Sequence, residues 1–239
     1  MITNTKFIAF FPEEIEEGKK REKLRAYVDN KKGYFFCKRI FDIVVSFIFI
    51  FAILSWFLPF IALFIKFSSP GPVFFLQRRV GRGGRTFVCI KLRTMIVNPE
   101  ADEKEAIEND YRITRIGKFL RESYLDEFPQ FLNVLAGDMS IVGPRPHMHS
   151  DCRKFSSIVS GYKFRNFVRP GITGLAQVKG FHGPSIDHEN IFRRYQWDAF
   201  YVRNASFRQD LHISRETAKQ HIGFLFRVVT QDSSLTGTV

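Results

Sequence analysis

The chain has 239 residues, of which 45% are hydrophobic and 25% charged, and a formal net charge of +12. That balance excludes a disordered chain, and the three cysteines (Cys37, Cys89 and Cys152), odd in number and widely spaced, exclude a disulfide framework or a cysteine metal site and fit a reducing compartment. The positive charge calls for an anionic partner (nucleic acid, acidic lipid or a phosphorylated substrate) without choosing among them, and the six histidines show no zinc-ligand spacing.

In chain order, residues 1–37 read as an N-terminal arm, with a charge-dense stretch from Glu13 to Arg25 that suits a solvated helix. Ile43 to Ile65 carries no formal charge and is long enough to span about 30 Å of hydrocarbon as a helix. Lys31, Lys32, Lys38 and Arg39 precede it, and Lys66, Arg78, Arg79, Arg82 and Arg85 follow it. Cations of this kind stay on the cytoplasmic side, so both flanks want the same face. A helix that dips in, breaks and returns satisfies both; a single kinked crossing is the alternative. Pro59 supplies a break and Ser55, one turn earlier, a hydroxyl for a freed carbonyl. Asp42 needs an interfacial position or a cation such as Arg39. The domain boundaries expected are therefore 1–37, a re-entrant membrane helix over 38–67, and a folded domain over 68–239 on the cytoplasmic and interfacial side.

Beyond the membrane segment, Val73–Phe75 and Thr86–Leu92 read as strands of a short hairpin around Gly81–Gly84, a turn that either punctuates the hairpin or contacts phosphate. Ala101–Asn109 reads as a charged helix or loop. Thr114 is placed to cap a helix with Ile116, Phe119 and Leu120 on one face. A second helix turns Phe131, Leu132 and Leu135 inward and ends at Gly137. Phe155, Ile158, Val159 and Tyr162 mark an amphipathic helix that lies either on an anionic membrane or on its own core. Residues 186–228 read as largely helical.

The most informative stretch is LDEFPQFLNVLAGDMSIVGPRP, Leu125 to Pro146. Pro129 is tolerated only in a first helical turn, which places Asp126 and Glu127 at a helix N-terminus, where free N–H groups favour anions. An ordinary N-cap explains Asp126 equally simply. Lys91, Arg93, Arg121 and Arg145 are cations available to phosphate, and Pro144 and Pro146 restrict where Arg145 points. Adjacent carboxylates are poorly placed to flank a sugar from both sides as in a glycosidase. They suit a nucleophile that attacks phosphorus beside a metal-binding or positioning acid, and Mg²⁺ matches oxygen ligands with substrate phosphates.

These residues resemble the bacterial sugar transferases, the monotopic polyprenyl-phosphate phosphoglycosyl transferases. The likeness runs from about Lys38 to Arg215 and rests on KRIFD, SSPGPVFFLQRRVGRGGRTF, KLRTM, RITRIGKFLR, the acidic stretch, VRPGITGLAQVKG and WDAFYVRNASFRQDL, in that order. The resemblance implies a mainly α fold with a short β-hairpin, a re-entrant helix, interfacial amphipathic helices and a small cytoplasmic catalytic domain at the bacterial inner membrane. It implies that Asp126 attacks the sugar-bearing phosphate of a UDP-sugar, that Glu127 binds Mg²⁺ or orients phosphates, and that polyprenyl phosphate takes the phosphosugar to start a surface glycan. Lys91, Arg93, Arg121, Arg145, Pro144, Pro146 and Gln177 would line the substrate. Anionic lipids are expected partners, nucleic acid is not, and self-association is left open. The chain departs from the family at Ser55-Trp56, where Ser-Pro is usual, at Tyr124, where a small hydroxyl residue is usual, and at Lys179, Phe181 and His182. A non-catalytic basic membrane adaptor is the competing reading, and the sugar is not legible.

Overall fold

The computed structural model describes residues 22, 26, 29–98, 110–181 and 188–235, with 224–235 described by backbone alone. The expected helix over Glu13–Arg25, the Ala101–Asn109 segment and His182 lie outside the described residues. The chain is mainly helical with a short hairpin, as expected. Helix α1 (Lys32–Phe49) continues through a π-helical turn (Ile50–Leu54) into α2 (Ser55–Ser68). The hairpin β1 (Phe74–Val80) and β2 (Thr86–Leu92) follows, antiparallel, with Phe74 opposite Leu92 and Val80 opposite Thr86. Then come α3 (Arg115–Glu122), α4 (Gln130–Ala136), β3 (Ser140–Val142), α5 (His149–Ile158), β4 (Gly171–Thr173), α6 (Leu175–Val178), α7 (His188–Asn204) and α8 (Phe207–Leu235).

The long helix is a membrane anchor by composition: it is apolar enough to cross a bilayer, and only 17% of its most apolar window is buried. Phe47, Ile48, Phe51, Trp56, Phe60, Leu63 and Phe64 stand exposed around it. Its buried stripe explains the π turn. Asp42 and Ser46 are buried and Phe49 half-buried, at helical spacing. Leu54, Ile61 and Ile65 are buried and Phe57 half-buried, again at helical spacing. Between Phe49 and Leu54 lies a step one residue too long for an α-helix. Each extra residue swings an α-helix by about 100°, which would aim one half of the stripe away from the domain. The wide turn absorbs that residue and keeps both halves on one face. The irregularity thus falls at 50–54, before the expected Ser55 and Pro59. Pro59 sits inside α2, and Ser55 Oγ donates to Phe51 O (2.7 Å).

Three cations, two before the apolar stretch and one after β2, close helix C-termini, where carbonyls lack partners and the dipole is negative. Lys31 Nζ donates to Arg203 O (3.0 Å) and Ala205 O (3.1 Å), at the end of α7. Arg39 donates to Val134 O (2.5 Å) and Leu135 O (2.9 Å), at the end of α4. Arg93 donates to Ser69 O (2.7 Å) and Pro70 O (2.5 Å), beyond α2. Both ends of the anchor are therefore fastened to the same folded body. Arg39 is consequently engaged away from Asp42, which instead accepts from Ile141 N (3.0 Å) and has Lys38 as its cationic neighbour.

The hairpin, α3 and α2 share one small core of Ile61, Ile65, Leu92 and Leu120. The largest core joins Phe155, Val159, Tyr162, Ile191, Tyr195, Tyr201 and Ile213, so the amphipathic stretch 155–162 packs inward rather than onto lipid. Helix α4 differs from expectation. Its buried face is Gln130, Asn133 and Val134, while Leu132 is exposed and Phe131 stacks on Phe49 of the anchor (4.0 Å between centroids). Asn133 replaces the expected apolar contact with two bonds to β2, accepting from Ile90 N (2.9 Å) and donating to Val88 O (2.7 Å). Gly137 ends α4 in the left-handed region (φ 94°), as its position predicts. Strands β3 and β4, a parallel pair the sequence reading missed, cross where a Cβ on Gly171 would lie 2.1 Å from Gly143 N.

Candidate active site

The chain reaches the acid pair through α3. Thr114 caps this helix, its hydroxyl accepting from Gly117 N (3.0 Å), as the sequence predicts. After Glu122 the backbone turns sharply at Tyr124 into a 3₁₀ turn, Leu125–Glu127. Helix α4 begins only at Gln130, with Pro129 as its N-cap. The expectation that Asp126 and Glu127 open that helix is corrected accordingly. Proline has no N–H to give and fits best at the boundary, so the acids sit on the preceding turn and take their positive surroundings from side chains.

Those side chains come from β2 and from the Pro144–Pro146 segment. Lys91 Nζ donates to Glu127 Oε1 (2.7 Å). Arg145 grips the same carboxylate with two bonds, Nη2 to Oε1 (2.7 Å) and Nη1 to Oε2 (3.2 Å). The prolines serve as the frame for that grip: Pro144 O accepts from Gly171 N (3.0 Å), Pro146 O from Arg79 Nη1 (2.9 Å), and Arg145 O from Arg165 Nη2 (2.6 Å). Arg165 in turn is paired with Asp198 (2.8 Å) in the interior.

Both acids are buried, yet their electrostatics diverge. Burial pushes Glu127 up, but Arg145 and Lys91 together hold it well below the usual carboxylate range. Asp126 receives no hydrogen bond among the described residues. Burial, opposed by Lys91 and reinforced by Glu127, pushes it up to about 6. Glu127 is thus a fixed anion within a cationic clamp, and Asp126 is a carboxylate whose oxygens are uncommitted. Arg121 faces this pair: it donates to Thr94 Oγ1 (2.7 Å), and burial lowers its pKa against the pull of Asp126.

Of the residues singled out from sequence, Lys91, Arg121 and Arg145 converge on Asp126 and Glu127 with Pro144 and Pro146 as support. Arg93 does not: it is spent on the carbonyls beyond α2. Gln177 lies on the neighbouring helix α6 and donates back to Ile172 O of β4 (3.2 Å). The sequence reading missed Asn133, which fixes β2 and so aims Lys91, and Arg165, which fixes the Arg145 backbone. Neither carries a local motif. Among the described residues no group of three His, Cys, Asp or Glu side chains is arranged to hold a metal. A metal that takes most of its ligands from substrate phosphates would find its open protein oxygens on Asp126, because both Glu127 oxygens already accept from Lys91 or Arg145.

Residues 33–223 match the sequence profile of the bacterial sugar transferases. The chain is 47% identical over 165 residues to a UDP-glucose:undecaprenyl-phosphate glucose-1-phosphate transferase of Xanthomonas campestris pv. campestris, covering 68% of this chain and 34% of the relative. It is 41% identical over 187 residues to a UDP-N-acetylgalactosamine-undecaprenyl-phosphate N-acetylgalactosaminephosphotransferase of Aeromonas hydrophila, covering 78% and 44%. An exopolysaccharide production protein of Rhizobium leguminosarum bv. phaseoli is 41% identical over 181 residues, covering 74% and 90%. The match spans less than half the length of the Xanthomonas and Aeromonas relatives.

Proposed function

The chain belongs to the bacterial sugar transferase family, and from that premise we propose that it moves a sugar-1-phosphate from a UDP-sugar to a polyprenyl phosphate such as undecaprenyl phosphate, at the cytoplasmic face of the bacterial inner membrane. The observation that carries the reading is the contrast within the acid pair: one carboxylate clamped by Lys91 and Arg145, the other buried beside it with no hydrogen bond to its oxygens among the described residues.

In this reading an oxygen of Asp126 attacks the phosphorus attached to the sugar. The bond from that phosphorus to the bridging oxygen breaks, and UMP leaves with the electron pair. The phosphosugar is then held on Asp126 as an acyl phosphate. An oxygen of polyprenyl phosphate attacks the same phosphorus, the bond to Asp126 breaks, and the carboxylate is regenerated. The product is a polyprenyl diphosphate-sugar, a starting unit for a surface glycan. Lys91, Arg121 and Arg145 offset the negative charge that accumulates as the phosphates gather. Glu127 keeps Lys91 and Arg145 aligned, and Gln177 braces the β4–α6 loop beside them. Mg²⁺ bound through Asp126 would neutralise diphosphate charge and favour departure of the nucleotide.

The anchor supports the greasy acceptor. Both of its ends are tied to one body, through Lys31 and Arg39 at α1 and Arg93 beyond α2. A straight crossing would separate those ends by about 30 Å of hydrocarbon. We take the helix to dip into one leaflet and return, which keeps the acids near the headgroups. Exposed Phe207 and Leu211 of α8 continue the apolar face of the anchor, with Phe207 edge-on to Phe41 (5.5 Å). Arg208, Arg215 and Lys219 on the same helix suit anionic lipid.

The test is incubation of the purified chain with UDP-sugars labelled in the sugar, Mg²⁺ and polyprenyl phosphate. Label should remain on the unaltered protein when acceptor is withheld. Asp126→Asn should lower UMP release at least about 10³-fold while UDP-sugar still binds. Full activity in that variant rejects the nucleophile, and salt-dependent binding without UMP release from any UDP-sugar favours the adaptor reading.

A further inference from the structure

Tyr124 is the only non-glycine residue with positive φ among the described residues (φ 58°, ψ 15°). A non-glycine L-residue is disfavoured in this region, and such strain persists where the surroundings demand it, often beside a functional site. The backbone demand is plain. Tyr124 N donates to Arg121 O (3.1 Å) and Tyr124 O accepts from Glu127 N (3.2 Å), which turns the chain out of α3 and into the acid turn. That demand does not require a tyrosine, because glycine or asparagine takes the same φ with less strain. The side chain therefore needs its own explanation.

Its surroundings supply one. The ring is half-buried and meets the imidazole of His221 edge-on, 5.2 Å between centroids. His221 lies on α8, which is fastened across the neighbouring loop. Thr217 Oγ1 bonds Thr173 Oγ1 of β4 (2.6 Å), and Gln220 Nε2 donates to Val178 O of α6 (3.3 Å). His221 Nδ1 is itself fixed to Thr217 O (2.8 Å). Helix α8 thus passes over β4 and α6 and ends its tethered run on Tyr124, two residues before Asp126. The ring therefore stands two residues before Asp126, and its phenol is a hydrogen-bond donor at neutral pH as for any tyrosine.

We propose that Tyr124 is a donor-contacting, specificity-determining residue: its hydroxyl donates a hydrogen bond to the bound sugar nucleotide, and its ring, propped by His221, forms the side wall against which the sugar rests. This inference rests on the sugar-phosphate transfer proposed above and concerns how that same site selects its donor.

The experiment compares UMP release by the full chain in detergent, with UDP-glucose, UDP-galactose and UDP-N-acetylgalactosamine, for the unaltered protein, Tyr124→Phe, Tyr124→Asn and His221→Ala. Tyr124→Phe keeps the ring and loses one hydrogen bond, so donor KM should rise about two- to tenfold. Tyr124→Asn keeps the turn and loses the wall; donor KM should rise about tenfold or more, and the ratio of kcat/KM among the three donors should change. His221→Ala should shift that ratio in the same direction by less. Polyprenyl phosphate KM and melting temperature should stay near those of the unaltered protein. An unchanged donor ratio in Tyr124→Asn overturns the proposal, as does a loss that simply follows a lowered melting temperature. If the unaltered protein releases no UMP from any UDP-sugar, the reading beneath it fails as well, and that result is distinct from either of the first two.

Discussion

At the start of α8, Asp210 is buried and receives three hydrogen bonds: from Tyr34 (2.5 Å) and Lys38 (2.8 Å) on Oδ2, and from Tyr201 (2.8 Å) on Oδ1. Asp126 is buried to a similar degree and receives none among the described residues. The first acid joins the anchor to α7 and α8, and two of the three bonds it accepts come from residues more than 170 positions away. The second lies between a clamped neighbour and a helix and keeps its lone pairs. The difference separates an acid that holds the fold from one that the fold holds ready. A carboxylate already satisfied by three donors is a poor nucleophile, whereas one that burial has raised to about 6 remains ionised at neutral pH and carries electron density with no fixed destination.

The sharpest way to break this comparison is Asp210→Ala. Removing one member of a buried ion pair leaves Lys38 uncompensated, and stability should fall by about 3–5 kcal/mol in denaturant or thermal unfolding. A loss below about 1 kcal/mol would mean that Asp210 does not hold the anchor. The opposite sign is expected at the second acid. The folded state retains the Asp126 proton to about pH 6, against an ordinary value of 3.8, so between those values it binds more protons than the unfolded chain. Its ionisation opposes folding, and this penalty is complete above pH 6. Asp126→Asn should therefore raise stability by about 1–3 kcal/mol at pH 7.5, with the gain narrowing as the pH falls toward 4. A loss of stability at pH 7.5 would show that the carboxylate is satisfied after all. The smallest effect is expected within the π turn. Deleting Ala52 removes the surplus residue and leaves the buried stripe in phase, so melting should change little. Deleting Leu63 should be markedly destabilising, because it rotates Ile65 out of the core by about 100°.

Local features were legible from the residues alone. The Thr114 cap, the turn of the hairpin and the end of α4 at Gly137 depend on neighbours within a few positions, whereas Lys91 and Arg145 reach Glu127 from 36 and 18 residues away. What failed to show was decided at a distance. Leu132 belongs to the apolar pattern of α4, yet Asn133 faces inward because β2 offers it an N–H and a carbonyl. Arg93 shares the charge of Lys91 but points toward the end of α2. The Pro129 argument set the right stretch of chain and the wrong helix boundary, since a 3₁₀ turn was as compatible with proline as an earlier start. The π turn was visible only once burial showed which residues had to share a face. Strands β3 and β4 are three residues each and carry too little pattern to be seen before their partner is known.

The fastening of both anchor ends bears on how the chain reaches its membrane. Lys31 and Arg39 at one end donate to carbonyls of the folded body, and at the other end Arg93 of that body donates to carbonyls just beyond the anchor. With the helix dipping into one leaflet as proposed, no charged flank has to be carried through hydrocarbon during synthesis. The apolar stretch can be laid in from the side where the ribosome releases it, and the rest of the protein can close around its two ends afterwards, so that biogenesis becomes a docking event instead of a translocation.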